Sequence, residues 1–268
     1  MITIFKTFMK FAIFGFATVI TQIGGIAYLL GILLSSSIKN KIIGNTFVLS
    51  LIIYSILTYA AVPLLAPQYG RVPITNSEKI SAVNPLYKFL NRSYVTPELN
   101  QLLSATAKNI SKINPSVKIK YMDANFPFIN EFPLLPHLSH NDGKKIDISL
   151  VFATPEGNIT TKQKSNSGYG VFAAPLPDEE NQVDKCLGAG YFQYDYPKYL
   201  TFGKKNLALQ FSEIGTKLLM QEFLKSEAID MMFIDPHLKT RLKLDDRRIR
   251  YHGCKAVRHD DHIHIQIK

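Results

Sequence analysis

The 268-residue chain predicts an α+β domain preceded by a helical hairpin of membrane type. Three observations carry this reading. Charged residues are missing from positions 11–38 and again from 42–70. Each stretch exceeds the roughly 20 apolar residues that a membrane helix needs. Beyond residue 95, strand and helix patterns mix without the strict alternation of a parallel α/β fold. At the end of the chain, Ile263, Ile265 and Ile267 alternate with His262, His264 and Gln266, the pattern of a strand with one core face.

The apolar region divides into spans at 11–34 and 42–66, with a polar turn at 35–41. A cleaved signal peptide fits less well, because its apolar core is shorter, about 7–15 residues. Lys39 and Lys41 favour a cytoplasmic turn, whereas Lys6 and Lys10 favour a cytoplasmic N-terminus. Two crossings cannot satisfy both. No Asp or Glu precedes Glu78, and half of the formal charge of +10 lies in the first 77 residues. The mild excess on the remainder suits work near anionic lipid or an anionic polymer. It does not single out nucleic acid, and no nucleic-acid partner is expected.

Three parts follow: a two-helix anchor at 1–70, a linker at 71–94 and a larger domain at 95–268. Within that domain, residues 96–113 read as a packing helix from the apolar stripe Leu99, Leu102, Leu103, Ala107 and Ile110. Strands are expected at 117–122, 145–153, 229–234 and 262–268, and an amphipathic helix at 206–226. Asp235-Pro236 starts a short helix running to about 243, with Asp as cap and Pro at its first position. Residues 154–205 read as long and irregular. Cys186 and Cys254 form a disulfide or stay as two thiols; the sequence leaves both open.

Polar chemistry concentrates in two short segments, His137-Leu-Ser-His140-Asn-Asp-Gly143-Lys-Lys-Ile-Asp147 and His259-Asp-Asp-His262-Ile-His264. They hold five of the seven histidines; His237 and His252 lie elsewhere. On a strand, His262 and His264 share a face opposite the isoleucines. Gly143 lets the preceding loop bend so that His140 and Asp147 can meet one ion. Two imidazoles and one carboxylate match a catalytic zinc site, which keeps its fourth position for water. A histidine beside the ion can act as general base. Asp260 and Asp261 can orient imidazoles; for Asp260 a solvated turn is the alternative. Tyr191, Tyr194, Tyr196 and Tyr199 either wall a substrate cleft or pack a long loop.

These residues resemble the zinc peptidases that join lysostaphin-type enzymes, D-alanyl-D-alanine peptidases and the hedgehog signalling domain, whose pattern is His-x6-Asp followed by His-x-His. Within that group the match looks like the penicillin-insensitive murein endopeptidases, through His137-x-x-His140-x-x-Gly143-x-x-x-Asp147, His259-Asp-Asp-His262-x-His264 and the stretch from Met231 to Lys239. The resemblance covers roughly residues 95–268. It implies a small antiparallel sheet flanked by helices. It implies zinc held by His140, Asp147 and His264, with His262 as base and His137 and His259 lining the site. The implied substrate is a peptide cross-link of peptidoglycan. A murein substrate would place the catalytic domain on the periplasmic side of the cytoplasmic membrane. Alternatives are a D,D- or L,D-carboxypeptidase on the same scaffold, or a non-catalytic zinc-stabilised binding domain. A spare base and two flanking histidines argue against the last, since a structural site closes its fourth position with a ligand.

Overall fold

The computed structural model describes residues 2–268, with side chains from residue 4 onward. The chain forms two compact units. The first comprises Met1–Ile74, Leu86–Pro97 and Ala124–Gly143; the second comprises Thr75–Pro85, Glu98–Asp123 and Lys144–Lys268.

In the first unit the expected two-helix hairpin is three helices: α1 (Ile2–Thr21), α2 (Gly24–Ser35) and α3 (Thr46–Ile56). The span expected at 11–34 is broken. Gln22 sits at φ 67°, and the Thr21 hydroxyl accepts the N–H of Gly24 at 2.8 Å. Gln22 then spends its side-chain oxygen on the N–H of Phe128 at 2.9 Å. Polar groups at 21–22 and two glycines after them favour a break that mean hydropathy does not register. Asn45 caps α3 by accepting from the N–H groups of Phe47 and Val48. A π-turn at Leu57–Ala61 continues the helical run, with Val62 N–H bonding back to Leu57 O. Its cause is Pro63, which lacks an N–H and would clash with the carbonyl four residues earlier. The runs Ile4–Thr21 and Thr46–Tyr69 are each long and apolar enough to cross a membrane.

The first unit's buried cluster is Ile23, Ala27, Tyr54, Val62, Ala66 and Tyr94. Buried Asn91 donates to Thr21 O at 3.4 Å and to the Tyr54 and Thr58 hydroxyls at 3.3 Å. Residues 71–94 are therefore not a plain linker. Val72–Pro73 pairs with Tyr94–Val95, and Ile80–Ala82 is a strand of the second unit.

The second unit is built on a six-stranded sheet. Its strands are β1 (Ile80–Ala82), β2 (Ile119–Tyr121), β3 (Lys145–Ser149), β4 (Ile229–Phe233), β5 (Ile249–Arg250) and β6 (His262–Ile267). The order is β5-β4-β6-β3-β2-β1. The four central strands are antiparallel, but both edge pairs, β5–β4 and β2–β1, are parallel. The fold is mixed α+β rather than carrying a purely antiparallel sheet. The helices are α4 (Pro97–Ile113), α5 (Glu213–Leu224) and α6 (Pro236–Arg241). The α4 stripe is buried at Leu99, Leu103, Ala107 and Ile110 as its spacing requires.

Three expected elements end differently. The strand read at 145–153 leaves the main sheet after Ser149, where Val151 N–H turns to the Thr216 hydroxyl at 3.1 Å. Phe152–Ala153 instead pairs with Ile159–Thr160 and Gln210–Phe211. The helix read at 206–226 starts only at Glu213, because Gln210–Phe211 is taken by that small sheet and Ser212 caps. The irregular stretch 154–205 contains a helix, Gln182–Gly188, and a 3-10 helix, Phe192–Tyr199. Cys186 and Cys254 are joined by a disulfide.

Candidate metal centre

Strand register brings the chemistry together. β6 lies between β4 and β3, with His264 opposite Asp147 and His262 opposite Ser149. Ile263, Ile265 and Ile267 are at most 1% exposed. Burying three isoleucines is worth roughly 1.5–3 kcal/mol each. A one-residue slip would exchange the two faces and take the isoleucines out of the core, so the core fixes which side the imidazoles occupy.

One ligand atom each from His140, Asp147 and His264 lies within 4.8 Å of the others, and all three residues are buried. This triplet could hold a metal ion. His264 Nδ1 stands 2.9 Å from Asp147 Oδ1, slightly tighter than the roughly 3.3 Å expected of two donors about 2.0–2.1 Å from one zinc. His140 Nδ1 donates to the carbonyl of Ala124 at 2.8 Å, which leaves Nε2 as the ligand atom. Gly143, at φ 81°, closes the turn before β3. A Cβ there would fall 2.4 Å from the Arg71 side chain, so the position admits no side chain without displacing that arginine.

His262 stands beside the triplet. Its Nδ1 donates to Asp261 Oδ1 at 2.5 Å, and its Nε2 lies 3.7 Å from Asp147 Oδ1. Burial alone would lower its pKa, but the Asp147 and Asp261 carboxylates outweigh burial and push it up to about 9. His259 is the opposite case: burial, with His262 and His264 adding to it, drives its pKa well below the ordinary imidazole value. It is a neutral ring 4.8 Å from that of His262. The ring of His137 is 5.6 Å from that of His140. All six histidine and aspartate residues read from the sequence are thus buried.

Several contributors are not legible in the sequence. Tyr169, from the stretch read as irregular, donates its hydroxyl to Asp147 Oδ2 at 2.7 Å and sets its ring edge-on to His262 at 5.1 Å. His252 stacks on Phe233 at 4.2 Å and lies 5.4 Å from His259. Asp260 and Asp261 are fully buried, not a solvated turn. The tyrosines split: Tyr194 is buried and donates to Asp235 at 2.8 Å, while Tyr196 and Tyr199 are exposed. Asp235 occupies the cap position of α6 without capping it, because its carboxylate is committed to Tyr194 and to the N–H of His259 at 3.0 Å.

A second buried triplet, Asp235, His237 and Asp260, also has closely spaced ligand atoms. Its members are already engaged. Arg258 binds Asp260 through two bonds of 2.7 and 2.6 Å, and His237 Nε2 is 2.9 Å from Ala173 O. A dication there would have to displace a guanidinium, so this group reads as structural.

No protein-family model matches the chain, and a search of curated proteins returns no similar sequence.

Proposed function

We propose that the chain is a membrane-anchored zinc peptidase that hydrolyses peptide cross-links of peptidoglycan. The observation that carries this is the buried His140–Asp147–His264 triplet with His262, held by Asp261, beside it. A structural zinc site uses a fourth protein ligand; here His262 stands beside the triplet and is not part of it. Zinc bound to the triplet would act as a Lewis acid, polarising the scissile carbonyl and acidifying water. The chain's own residues do the rest. Asp261 fixes the tautomer of His262, so that Nε2 faces the reacting groups as proton acceptor. His262 shares Asp147 with the ion once the site is filled, and the pull towards its charged form weakens accordingly. His259, kept neutral by burial, sits behind His262 and can donate or accept one hydrogen bond. The substrate class follows from the motif resemblance.

The test is digestion of purified sacculi or muropeptide dimers. Zinc-loaded protein should cleave the dimers, and a chelator should stop it. His262→Ala should retain zinc and lose about 10²–10⁴-fold in rate, the usual contribution of a general base. Intact dimers after incubation with zinc-loaded wild type would sink the assignment.

The anchor supports an outward-facing domain. Phe8, Phe11, Phe16, Phe47 and Leu64 are each at least 65% exposed, and apolar surface on that scale marks contact with lipid or protein. With α3 as a full crossing and α1 and α2 as short ones, the chain crosses three times; past Lys10, α1 has only residues 11–21 left, about 16 Å of helix. Lys6, Lys10, Lys39 and Lys41 then all lie on the cytoplasmic face, and the two-span conflict disappears. The 12 residues of α2 span only about 18 Å, so the bilayer must thin locally or the lysines must snorkel. A membrane-impermeant thiol reagent on spheroplasts should label Lys268→Cys and spare Lys41→Cys. Labelling of Lys41→Cys alone would reverse the orientation.

A further inference from the structure

The turn Gly168-Tyr169-Gly170 touches both halves of the chemistry. The Tyr169 hydroxyl donates to Asp147 Oδ2 at 2.7 Å, while Asp147 Oδ1 is the oxygen near His264 and His262. The next residue's N–H, on Gly170, donates to Asp261 Oδ2 at 2.6 Å. Asp261 Oδ1 in turn holds His262. The turn is itself pinned: Ser165 Oγ donates to Tyr169 O at 2.8 Å, and Tyr169 N–H donates to the Ser167 hydroxyl at 3.1 Å. Gly170 is at φ 77°, and a Cβ there would lie 2.4 Å from the carbonyl of Pro197. Only glycine fits where the backbone must approach Asp261.

We propose that Tyr169 is a positioning residue that sets how Asp147 meets the metal. By occupying Oδ2, its hydroxyl leaves Oδ1 as the single oxygen offered to the ion and keeps the carboxylate monodentate. Without the hydroxyl, Oδ2 loses that donor, and a carboxylate binding through both oxygens would fill the position that a substrate carbonyl or water requires. The same turn fixes the base through Gly170 and Asp261, so ligand denticity and base orientation are set by two adjacent residues. This rests on the metal-site reading above, and the experiment separates the two.

Full-length wild type, Tyr169→Phe and Asp147→Ala would be purified in detergent, stripped, and titrated with zinc against a chromophoric chelator. Cobalt(II) spectra would be recorded in parallel. Tyr169→Phe removes one oxygen atom. Polar partners of metal ligands typically tune affinity by about 10–100-fold, and a shift of that size is expected. Its cobalt absorption should weaken as the carboxylate becomes bidentate and coordination rises. Wild-type affinity and an unchanged cobalt spectrum in Tyr169→Phe, with metal lost in Asp147→Ala, would overturn the role of Tyr169 and leave the metal site standing. Failure of the wild type to bind zinc would overturn both.

Discussion

Replacing Asp147 by alanine should empty the metal site and reduce hydrolysis of muropeptide dimers at least about 10³-fold. Asp147 is fully buried on β3, directly across from His264. It is the only carboxylate of the triplet and so supplies its only negative charge. Two neutral imidazoles alone hold zinc weakly, and on the proposed function the zinc would lower the reaction barrier by several kcal/mol as a Lewis acid. At about 1.4 kcal/mol per decade, losing it costs three or more decades. Asp147→Asn keeps the shape and one carbonyl-type oxygen, so it should bind zinc more weakly than wild type yet more tightly than Asp147→Ala. Metal content by chelator titration, alongside dimer cleavage, checks both. Stoichiometric zinc in Asp147→Ala would show that the ligand assignment is wrong.

What makes Asp147 legible in the sequence explains what is not. The alternation of β6 and the apolar run of β3 are local signals, readable over five or six residues; they place His262 and His264 together on the face opposite the isoleucines and Asp147 on a strand. Gly143 marks the turn that carries His140. By contrast, Tyr169 reaches Asp147 across 22 residues and Gly170 reaches Asp261 across 91. Their turn has no periodicity, only glycines, and nothing local says what it faces. Asp235 is a clear case of misdirection. Its placement before Pro236 is the standard sign of a helix cap, yet tertiary partners take its carboxylate. Two apolar helical runs long enough to cross a membrane are present, Ile4–Thr21 and Thr46–Tyr69, but the first ends earlier than expected for a related reason. Hydropathy averages over a window, whereas the break at Gln22 depends on one hydroxyl and one backbone conformation. The parallel edges of the sheet are set by long connections that no local pattern reports.

Arg258→Ala should destabilise the second unit by about 3–5 kcal/mol, the usual consequence of leaving one partner of a buried ion pair alone. Arg258 is 6% exposed and Asp260 fully buried. Besides its two bonds to Asp260, the guanidinium donates a third to Asp195 at 2.8 Å and lies 3.6 Å over the ring of Phe172. Burial, with Asp261 adding to it, already raises the Asp260 pKa against the pull of Arg258. Without the arginine, that carboxyl must take up a proton or remain as an uncompensated charge. For a unit of this size the loss corresponds to a fall of about 6–20 °C in melting temperature. The effect should be non-additive. In the double variant Arg258→Met with Asp260→Asn no charge is stranded, and much of the stability should return. On the proposed function this segment also bears on the reaction, because Asp260 lies in sequence between His259 and the Asp261–His262 pair and its carbonyl accepts from Ala173 N at 2.7 Å. Arg258→Ala should therefore lower kcat more than metal content, as the base loses its fixed orientation. A melting temperature within about 2 °C of wild type would show that the buried pair is not what holds this strand entry in place.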